Sequence, residues 1–412
     1  MPIHSSRIEE HLNSLAKLGE TQNGGVTRLS LDQNYLKALE LLRGWMASAG
    51  LEVRLDPAGN LIGRRAGSRE DLPAIALGSH IDTVIEGGRY DGTAGVVAGL
   101  EVLRALEAGR NSLAHPVELI VFLEEEGTRW GAPLLGSRLM AGQNLEQADL
   151  DRVDRDGISY RKAMRSAGLD SARAAAARRE PGEFACYLEL HIEQGKVLES
   201  LGLPVGVVTG IAGPAAMKVA FRGQADHAGA TPMHLRRDAL VAAAKLILEA
   251  KKLAQETSPL SVATVGQLLV RPGAVNVIPG EVVMSVDFRD IDLERRDRLE
   301  AALLGAVRAI AGAENLESEV LDTSRVAPVR ISDRMVAVLS NACTKNGINF
   351  GTLPSGAGHD AQVMSRLTEV GMLFIRSRDG ISHAPQEYST IEDITLGAQA
   401  LYDAVLVLDE RR

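Results

Sequence analysis

The sequence predicts an α/β protein in which a mostly parallel sheet is interrupted by an inserted α+β domain. Buried strands alternate with amphipathic helices, as in "AIALGSH", "TAGVVAGLEVLRALEAG" and "HPVELIVFLEEEG", which is the βαβ pattern of a parallel sheet. The chain has 412 residues, more than one hydrophobic core usually supports. Two domains are therefore expected.

The parts of the chain outside the insertion are predicted to form the parallel-sheet domain. From Ile3 to about Gly50 the apolar residues recur at helical spacing and end at a glycine, which is typical of helices. The βαβ segment follows, and "ACYLELHIEQG" and "GMLFIRS" supply further buried strands of the same type. We expect this domain to comprise residues 1–212 and 323–412.

The segment 213–322 has a different order of elements, namely strand, helix, strand, strand, helix, strand. This βαββαβ order is the ferredoxin-like split arrangement, which folds as an independent unit. The segment is therefore predicted to be an inserted domain. Its strands are "AMKVAFRG", "SVATVGQLLV", "EVVMSVDFRD" and "NLESEVLD".

Composition restricts the class of partner. The formal net charge is −9 and no Lys/Arg-rich run is present, which argues against nucleic acid or an anionic membrane as the partner and favours a small molecule. The two cysteines, Cys186 and Cys343, lack CxxC spacing, which disfavours a disulfide scaffold or a thiolate zinc site. The N-terminal stretch has no apolar signal region and no segment resembles a membrane span, so a cytoplasmic protein is expected.

Polar side chains follow the predicted parallel strands, at the edge where an open α/β sheet binds ligands. They are His80, Glu124–Glu126, His191 and His383, with Asp91 in the loop after His80. Each alone is more often an ordinary loop or cap residue. Together, three imidazoles and the carboxylates form an N/O ligand set suited to Zn, Mn, Co or Ni, and two metals that share a carboxylate need about this number of groups. The sequence therefore predicts a metal site.

Eight motifs, in order along nearly the whole chain, resemble those of the binuclear metal amidohydrolases that cleave ureido compounds, within the wider aminoacylase and carboxypeptidase group. That family includes N-carbamoyl-L-amino-acid hydrolases, allantoate amidohydrolases and β-ureidopropionases. The motifs are "GSHIDTVIEGGRYDG", "EEEGTRWG", "HIEQG", "DHAGATPM", "GAVNVIPG", "DFRD", "PSGAGHDAQ" and "GISHAPQE".

The resemblance implies two divalent ions per subunit, Zn, Mn, Co or Ni. Asp91 would bridge them, His80 and His191 would complete one site, and Glu126 and His383 would complete the other.

The resemblance also assigns a general base, Glu125, the residue before a metal ligand. Asp82 in "HID" would be a carboxylate that orients His80, as metal-bound imidazoles generally require. Glu124 is left without a role and is interpreted as a solvated or structural acid.

Substrate contacts are expected from both domains. His227 in the inserted domain would stabilise the oxyanion, commonly in the active site of the other subunit, so the resemblance implies a homodimer in which the insertion serves as a dimerisation and lid domain. Asn276 would donate to the ureido oxygen. Arg289 would grip a substrate carboxylate through its planar fork; the alternative is a salt bridge with Asp287 or Asp290.

The remaining pocket residues are Gln194 and the "SGAGHD" loop, with Gly358 and His359. For His359 the alternative is a buried loop histidine without contact to substrate.

Three functions are compatible with these features: a ureido-cleaving amidohydrolase, a dipeptidase or aminoacylase on the same scaffold, and a noncatalytic metal-binding module. The complete ligand set beside Glu125 argues against the last, and "HIEQG" places a histidine where the peptidase relatives usually carry an acidic ligand. We therefore expect a metal-dependent hydrolase that converts N-carbamoyl-L-amino acids to L-amino acid, ammonia and carbon dioxide.

Allantoate amidohydrolase is the alternative within this class. Pro214 stands where allantoate-cleaving relatives usually have a glutamine, and Arg376 where they often have a proline. A side chain without a hydrogen-bond donor suits an apolar amino-acid side chain better than a second ureido group. The expected substrate is a small ureido compound with a carboxylate.

Overall fold

The computed structural model describes residues 2–109 and 112–410 and divides into two compact units. The second unit is larger than the predicted insertion of 213–322. The strand predicted from "NLESEVLD" continues to Arg325, which pairs with Ala215 in the strand Gly213–Arg222. This ladder joins residues 323–325 to the inserted sheet. The first unit is Met1–Thr209, Ile331–Leu353 and His359–Arg412, and the second is Gly210–Arg330 and Pro354–Gly358.

Strands occur in both units. In chain order they are β1 (Glu52–Leu55), β2 (Leu61–Arg65), β3 (Ala74–His80), β4 (Val117–Phe122), β5 (Phe184–Ile192), β6 (Val205–Ile211), β7 (Gly213–Arg222), β8 (Val262–Arg271), β9 (Glu281–Asp290), β10 (Glu317–Arg325), β11 (Val329–Arg330), β12 (Phe350–Ser355) and β13 (Val370–Ile375).

Helices separate most of the strands. The α-helices are α1 (Ser5–Ala16), α2 (Gln33–Ser48), α3 (Thr93–Ala108), α4 (Leu135–Met140), α5 (Gln147–Leu150), α6 (Tyr160–Ser166), α7 (Val197–Leu201), α8 (Ala239–Thr257), α9 (Leu293–Ala313), α10 (Asp333–Lys345), α11 (Asp360–Met364) and α12 (Ile391–Glu410), with short 3₁₀ helices at Ser171–Ala177, Met233–Leu235 and Arg378–Gly380.

The sheet of the first unit has the order β1-β2-β4-β3-β5-β13-β6. Its centre, β4, β3, β5 and β13, is parallel, whereas β1, β2 and β6 pair antiparallel at the flanks. Every residue of β3 and β4 is buried, as expected for parallel strands covered on both faces. The prediction of a mostly parallel central sheet is confirmed.

The register of these strands sets the position of the polar residues. His80, the last residue of β3, pairs with Phe122, the last residue of β4, and His191 of β5 pairs with Phe374 of β13. Adjacent parallel strands therefore end level with one another. Side chains from the loops that follow them meet at one edge of the sheet.

The second unit contains an antiparallel sheet of order β10-β7-β9-β8, with α8 and α9 between the strands in a βαββαβ sequence. Residues of β9 alternate between buried and half-exposed, and the buried set packs with apolar residues of α8 and α9 in one core. This alternation is the period of a sheet with one covered face.

Among residues 2–109 and 112–410, no helix combines the length and the apolar character needed to cross a bilayer.

Candidate metal centre

The first group of potential ligands consists of His80, Asp91 and His191, all buried, whose donor atoms lie within 4.8 Å of one another. His191 Nε2 is 3.2 Å from Asp91 Oδ1. Backbone carbonyls orient both rings: His80 Nδ1 lies 3.0 Å from the carbonyl oxygen of Asp82, and His191 Nδ1 lies 3.0 Å from that of Ile192. When Nδ1–H donates to a carbonyl, the neutral ring keeps the Nε2 lone pair for a cation.

The second group consists of Asp91, Glu126 and His383, again with donor atoms within 4.8 Å of one another. His383 Nε2 is 3.1 Å from Asp91 Oδ2 and 3.4 Å from Glu126 Oε2. Asp91 therefore belongs to both groups, and each of its carboxylate oxygens faces a different imidazole.

The chemistry of these groups fits two divalent cations. Asp91 Oδ1 is buried and, within the described residues, accepts no hydrogen bond. Burial, together with the charge of Asp91, raises the pKa of Glu126 to about 8. Burying a carboxylate oxygen without a hydrogen bond, or several carboxylates close together, costs free energy. A cation bound by this N/O set would offset that cost.

Glu125 lies beside the first group but is not a member of either. Its Oε2 is 3.6 Å from His80 Nε2. Burial raises the pKa of Glu125 well above its usual value, and the charges of Glu126 and Asp360 act in the same direction. A carboxyl group with a raised pKa next to a ligand set is suited to accepting and returning a proton.

Asp82 binds the backbone of the loop Glu124–Glu126, called here the glutamate loop. Its Oδ1 accepts the N–H of Glu125 at 3.2 Å and its Oδ2 accepts the N–H of Glu126 at 3.1 Å. Its carboxylate is 3.6 Å from His80 Nδ1, whereas its carbonyl is the closer acceptor. The His80 ring, which the Asp82 carboxylate was predicted to orient, is therefore held mainly by the Asp82 backbone carbonyl. The carboxylate instead accepts the N–H groups of Glu125 and Glu126.

Glu124 is structural rather than solvated. It is 1% exposed and its carboxylate accepts the backbone N–H groups of Arg129 and Trp130, both at 3.0 Å. Its φ of 56° places its backbone in the left-handed region. Burial raises the pKa of Glu124 to about 7.

Two predicted substrate contacts adjoin the ligand groups. Gln194 Nε2 donates to Asp91 Oδ2 at 3.0 Å. His359 is buried, with its ring centroid 4.5 Å from that of His191, and burial lowers the pKa of His359 well below its usual value. Gly358 belongs to the second unit.

His227 and Asn276 lie together in the second unit. The residue after His227, Ala228, donates its N–H to the carbonyl of Asn276 at 2.9 Å. His227 Nδ1 accepts the N–H groups of Gly229 and Ala230, each at 3.1 Å. These bonds require a lone pair on Nδ1, so the neutral ring carries its proton on Nε2, where it can donate to an acceptor.

Arg289 shows the alternative arrangement considered for it. Its Nε and Nη2 donate to the Asp287 carboxylate at 2.8 and 3.3 Å, and its Nη1 donates to the carbonyl of Gly356 at 2.9 Å. A guanidinium has five N–H donors. Two of them, one on each Nη, therefore have no acceptor within the described residues and are available to a carboxylate.

Sequence reasoning missed two buried acids beside the ligands. Glu189 lies two residues before His191 on β5, is 1% exposed, and accepts the N–H of Ala361 and the hydroxyl of Ser79 at 2.9 and 3.0 Å. Glu387, four residues after His383, accepts from the loops of two predicted ligands. The sequence signal for Glu189 was a charged residue within an otherwise apolar strand. For Glu387 the only signal was its position in the motif "GISHAPQE".

Comparison with known proteins supplies the family. The profile described as Peptidase family M20/M25/M40 matches residues 76–407. The chain belongs to this family.

Relatives of this M20/M25/M40 protein include ureido hydrolases. It is 43% identical to the N-carbamoyl-L-amino acid amidohydrolase of Geobacillus stearothermophilus over 98% of each chain, and 34% identical to the allantoate amidohydrolase of Bacillus subtilis over 97% of each chain. A hydantoinase/carbamoylase family amidase from Burkholderia multivorans superimposes with a TM-score of 0.93, at 35% identity and 98% coverage of each chain. The resemblance inferred from the motifs is confirmed.

Proposed function

We propose that this M20/M25/M40 family protein hydrolyses N-carbamoyl-L-amino acids to the L-amino acid, ammonia and carbon dioxide. The observation that carries the proposal is the placement of Asp91 in both ligand groups, with the Glu125 carboxyl beside them and outside both. The similarity to named N-carbamoyl-L-amino-acid amidohydrolases over nearly the whole chain supports the substrate class.

Two divalent ions, Zn, Mn, Co or Ni, would be held by His80, Asp91 and His191 and by Asp91, Glu126 and His383. Ions in such sites lower the pKa of bound water and polarise a carbonyl oxygen. Glu125 would accept a proton as water adds to the ureido carbon, and would return it to the leaving nitrogen when the C–N bond breaks. The carbamate so released decomposes to ammonia and carbon dioxide, so one water is consumed per turnover.

Residues of the second unit would recognise the substrate. His227, through Nε2, and Asn276, through its amide, would donate to the ureido oxygen as negative charge develops on it. The two available N–H donors of Arg289 would bind the α-carboxylate, while Asp287 fixes the guanidinium plane. Gln194, Gly358 and His359 would also contact the substrate.

The active assembly in this proposal is a homodimer in which His227 serves the active site of the neighbouring subunit. The support is that His227 belongs to the inserted unit whereas every proposed metal ligand belongs to the first. The motif resemblance described above points in the same direction.

Allantoate hydrolysis is the second candidate, favoured by the similarity to the Bacillus subtilis enzyme. The pairing of β7 with β9 argues against it. Pro214 lies directly opposite Arg289 in the register, so the side chain at position 214 shares a face with the proposed carboxylate clamp. Proline offers no donor or acceptor there for the additional ureido group of allantoate, which would lose water without gaining a partner.

A substrate panel tests the proposal. We would measure kcat/KM on one metal-reconstituted preparation for N-carbamoyl-L-methionine, its D enantiomer, its amide and allantoate. The L-acid is expected to be the best substrate of the four. Highest activity with allantoate would replace the proposal by the second candidate, and equal activity with the amide would remove the role given to Arg289.

A further inference from the structure

Glu387 connects two loops that lie almost three hundred positions apart in sequence. One of its carboxylate oxygens, Oε1, accepts the backbone N–H groups of Tyr90 and Asp91 at 2.9 and 3.0 Å. The other, Oε2, accepts the hydroxyl of Ser382 at 2.9 Å and the backbone N–H of His383 at 3.4 Å. The side chain is 4% exposed.

The two loops carry the residue shared by both ligand groups and the imidazole of the second group. Ser382 Oγ also lies 3.2 Å from Asp91 Oδ2, so the hydroxyl stands between the Glu387 and Asp91 carboxylates. Gly88 completes the contact from the other side, since a Cβ at this residue would lie 1.9 Å from Glu387 Oε1. The backbone of the Asp91 loop therefore approaches the carboxylate as closely as a glycine allows.

We infer that Glu387 is a positioning residue that sets the distance between Asp91 and His383 and so determines the affinity of the second ion site. The inference rests on the proposed function, because it assigns a role toward the ions proposed there. A carboxylate is required because both of its oxygens must accept: N–H donors approach from the Asp91 loop on one side and from the His383 loop on the other.

The variant Glu387→Gln should affect the hydrogen bonds of the two loops differently. Its single amide oxygen can accept from Tyr90 and Asp91, which together present two N–H groups. The amide NH₂ then faces Ser382, whose hydroxyl can accept, and the His383 N–H, which cannot. The His383 loop thus loses its acceptor while the Asp91 loop keeps one, and the cost should fall on the second site.

Asp409→Asn provides a matched control. The Asp409 carboxylate likewise accepts two consecutive backbone N–H groups from a distant loop, those of Ala114 and His115 at 3.0 and 2.8 Å. Neither residue belongs to a ligand group. The same chemical change there tests whether loss of a carboxylate brace by itself disturbs the ion sites.

The experiment is equilibrium dialysis of the metal-free, full-length chain against Co²⁺ at buffered free concentrations, with bound ions counted by elemental analysis and thermal unfolding measured in parallel. Wild type is expected to bind two ions. In Glu387→Gln the midpoint for the second ion should shift by about 10- to 100-fold, the usual effect of removing a residue that orients a metal ligand, with a smaller shift for the first. Asp409→Asn should retain both midpoints.

A second-ion midpoint within about threefold of wild type in Glu387→Gln, well below the usual effect, would overturn the inference. An equal shift in Asp409→Asn would also overturn it, by assigning the effect to general stability. Should Glu387→Gln fail to fold, Gly88→Ala displaces the same carboxylate and must weaken the second ion in the same way. If the wild type binds fewer than two ions, the two-ion proposal fails. If the wild type binds two ions and the second-ion midpoint of Glu387→Gln is unchanged, only the role of Glu387 is refuted.

Discussion

Glu125 Oε2 lies 3.6 Å from His80 Nε2. The carboxyl group thus lies next to the proposed ligands, and it belongs to neither ligand group. Glu125 and Glu126 are consecutive, and Asp82 accepts the N–H of each, so the loop holds two neighbouring carboxylates with different tasks.

Glu125→Gln should retain both ions and lower kcat by about 10²- to 10⁴-fold, because the amide preserves shape but cannot accept the proton. Turnover of N-carbamoyl-L-methionine and ion content would be measured on the same sample. Glu124→Gln is the control, since the Glu124 carboxylate is engaged by two backbone N–H groups. Near-normal turnover in Glu125→Gln at full ion content would transfer the role to another residue.

Asp91→Ala should remove both ions together, because Asp91 is the shared member of the two ligand groups. His383→Ala should weaken one ion and spare the other, since His383 belongs to one of the two proposed sites. Elemental analysis after dialysis distinguishes the two outcomes. Retention of one ion at wild-type affinity in Asp91→Ala would mean that Asp91 does not bridge.

The convergence of the ligand groups was predictable from sequence because it depends on topology. Parallel strands end at one edge, so polar residues placed after apolar strands must meet there; His80, His191 and the glutamate loop do so. The βαββαβ order of the insertion was predictable for a similar reason, because local periodicity defines it.

Contacts between distant loops were not predictable. The brace by Glu387 and the bond from Arg289 to the carbonyl of Gly356 depend on side-chain directions that residue spacing does not determine. The inserted unit extends beyond the predicted 213–322 for a related reason: the ladder between Arg325 and Ala215 joins residues that separately resemble linker sequence.

His11 should make stability depend on pH. It is 5% exposed and stacks on Trp45 with ring centroids 3.9 Å apart. Burial, helped by the charge of Arg104, lowers the pKa of His11 to about 4. The unfolded chain binds this proton below about pH 6.5 and the folded chain does not, so the stabilisation is complete above that pH and is lost as the pH falls toward 4.

His11→Phe keeps an aromatic ring against Trp45 and removes the titrating group. The loss of unfolding free energy between pH 7 and pH 5, measured with urea, should be smaller in the variant by about 2 kcal/mol. His4→Gln, at an exposed position before the same helix, is the control for replacing a histidine. An identical pH slope in wild type and His11→Phe would contradict the assignment.

Hybrid dimers test the proposal that His227 contributes to the active site of the neighbouring subunit. His227→Ala and Glu125→Gln are each expected to be inactive as homodimers. After mixing and exchange, each hybrid would contain one site with an intact Glu125 and an intact His227. With equal mixing, about a quarter of wild-type activity should return. No recovery after demonstrated subunit exchange would mean that His227 acts in its own subunit or not at all.

Arg289→Lys should lower kcat/KM for N-carbamoyl-L-methionine by about 10²- to 10³-fold although the charge is kept. Asp287 and Gly356 hold three N–H donors of the guanidinium and leave two, one on each Nη, for the substrate carboxylate. An ammonium can neither bridge a carboxylate in this way nor keep both fixed contacts, so the ureido carbonyl loses its orientation as well as its anchor. Arg271→Lys is the matched control, because Arg271 is an exposed arginine of the same unit whose Nη1 pairs with Glu281; it should have no effect. The amide of the substrate should respond weakly to Arg289→Lys, since it has no carboxylate to lose, and an equal fall for acid and amide would show that Arg289 supports the sheet and not the substrate.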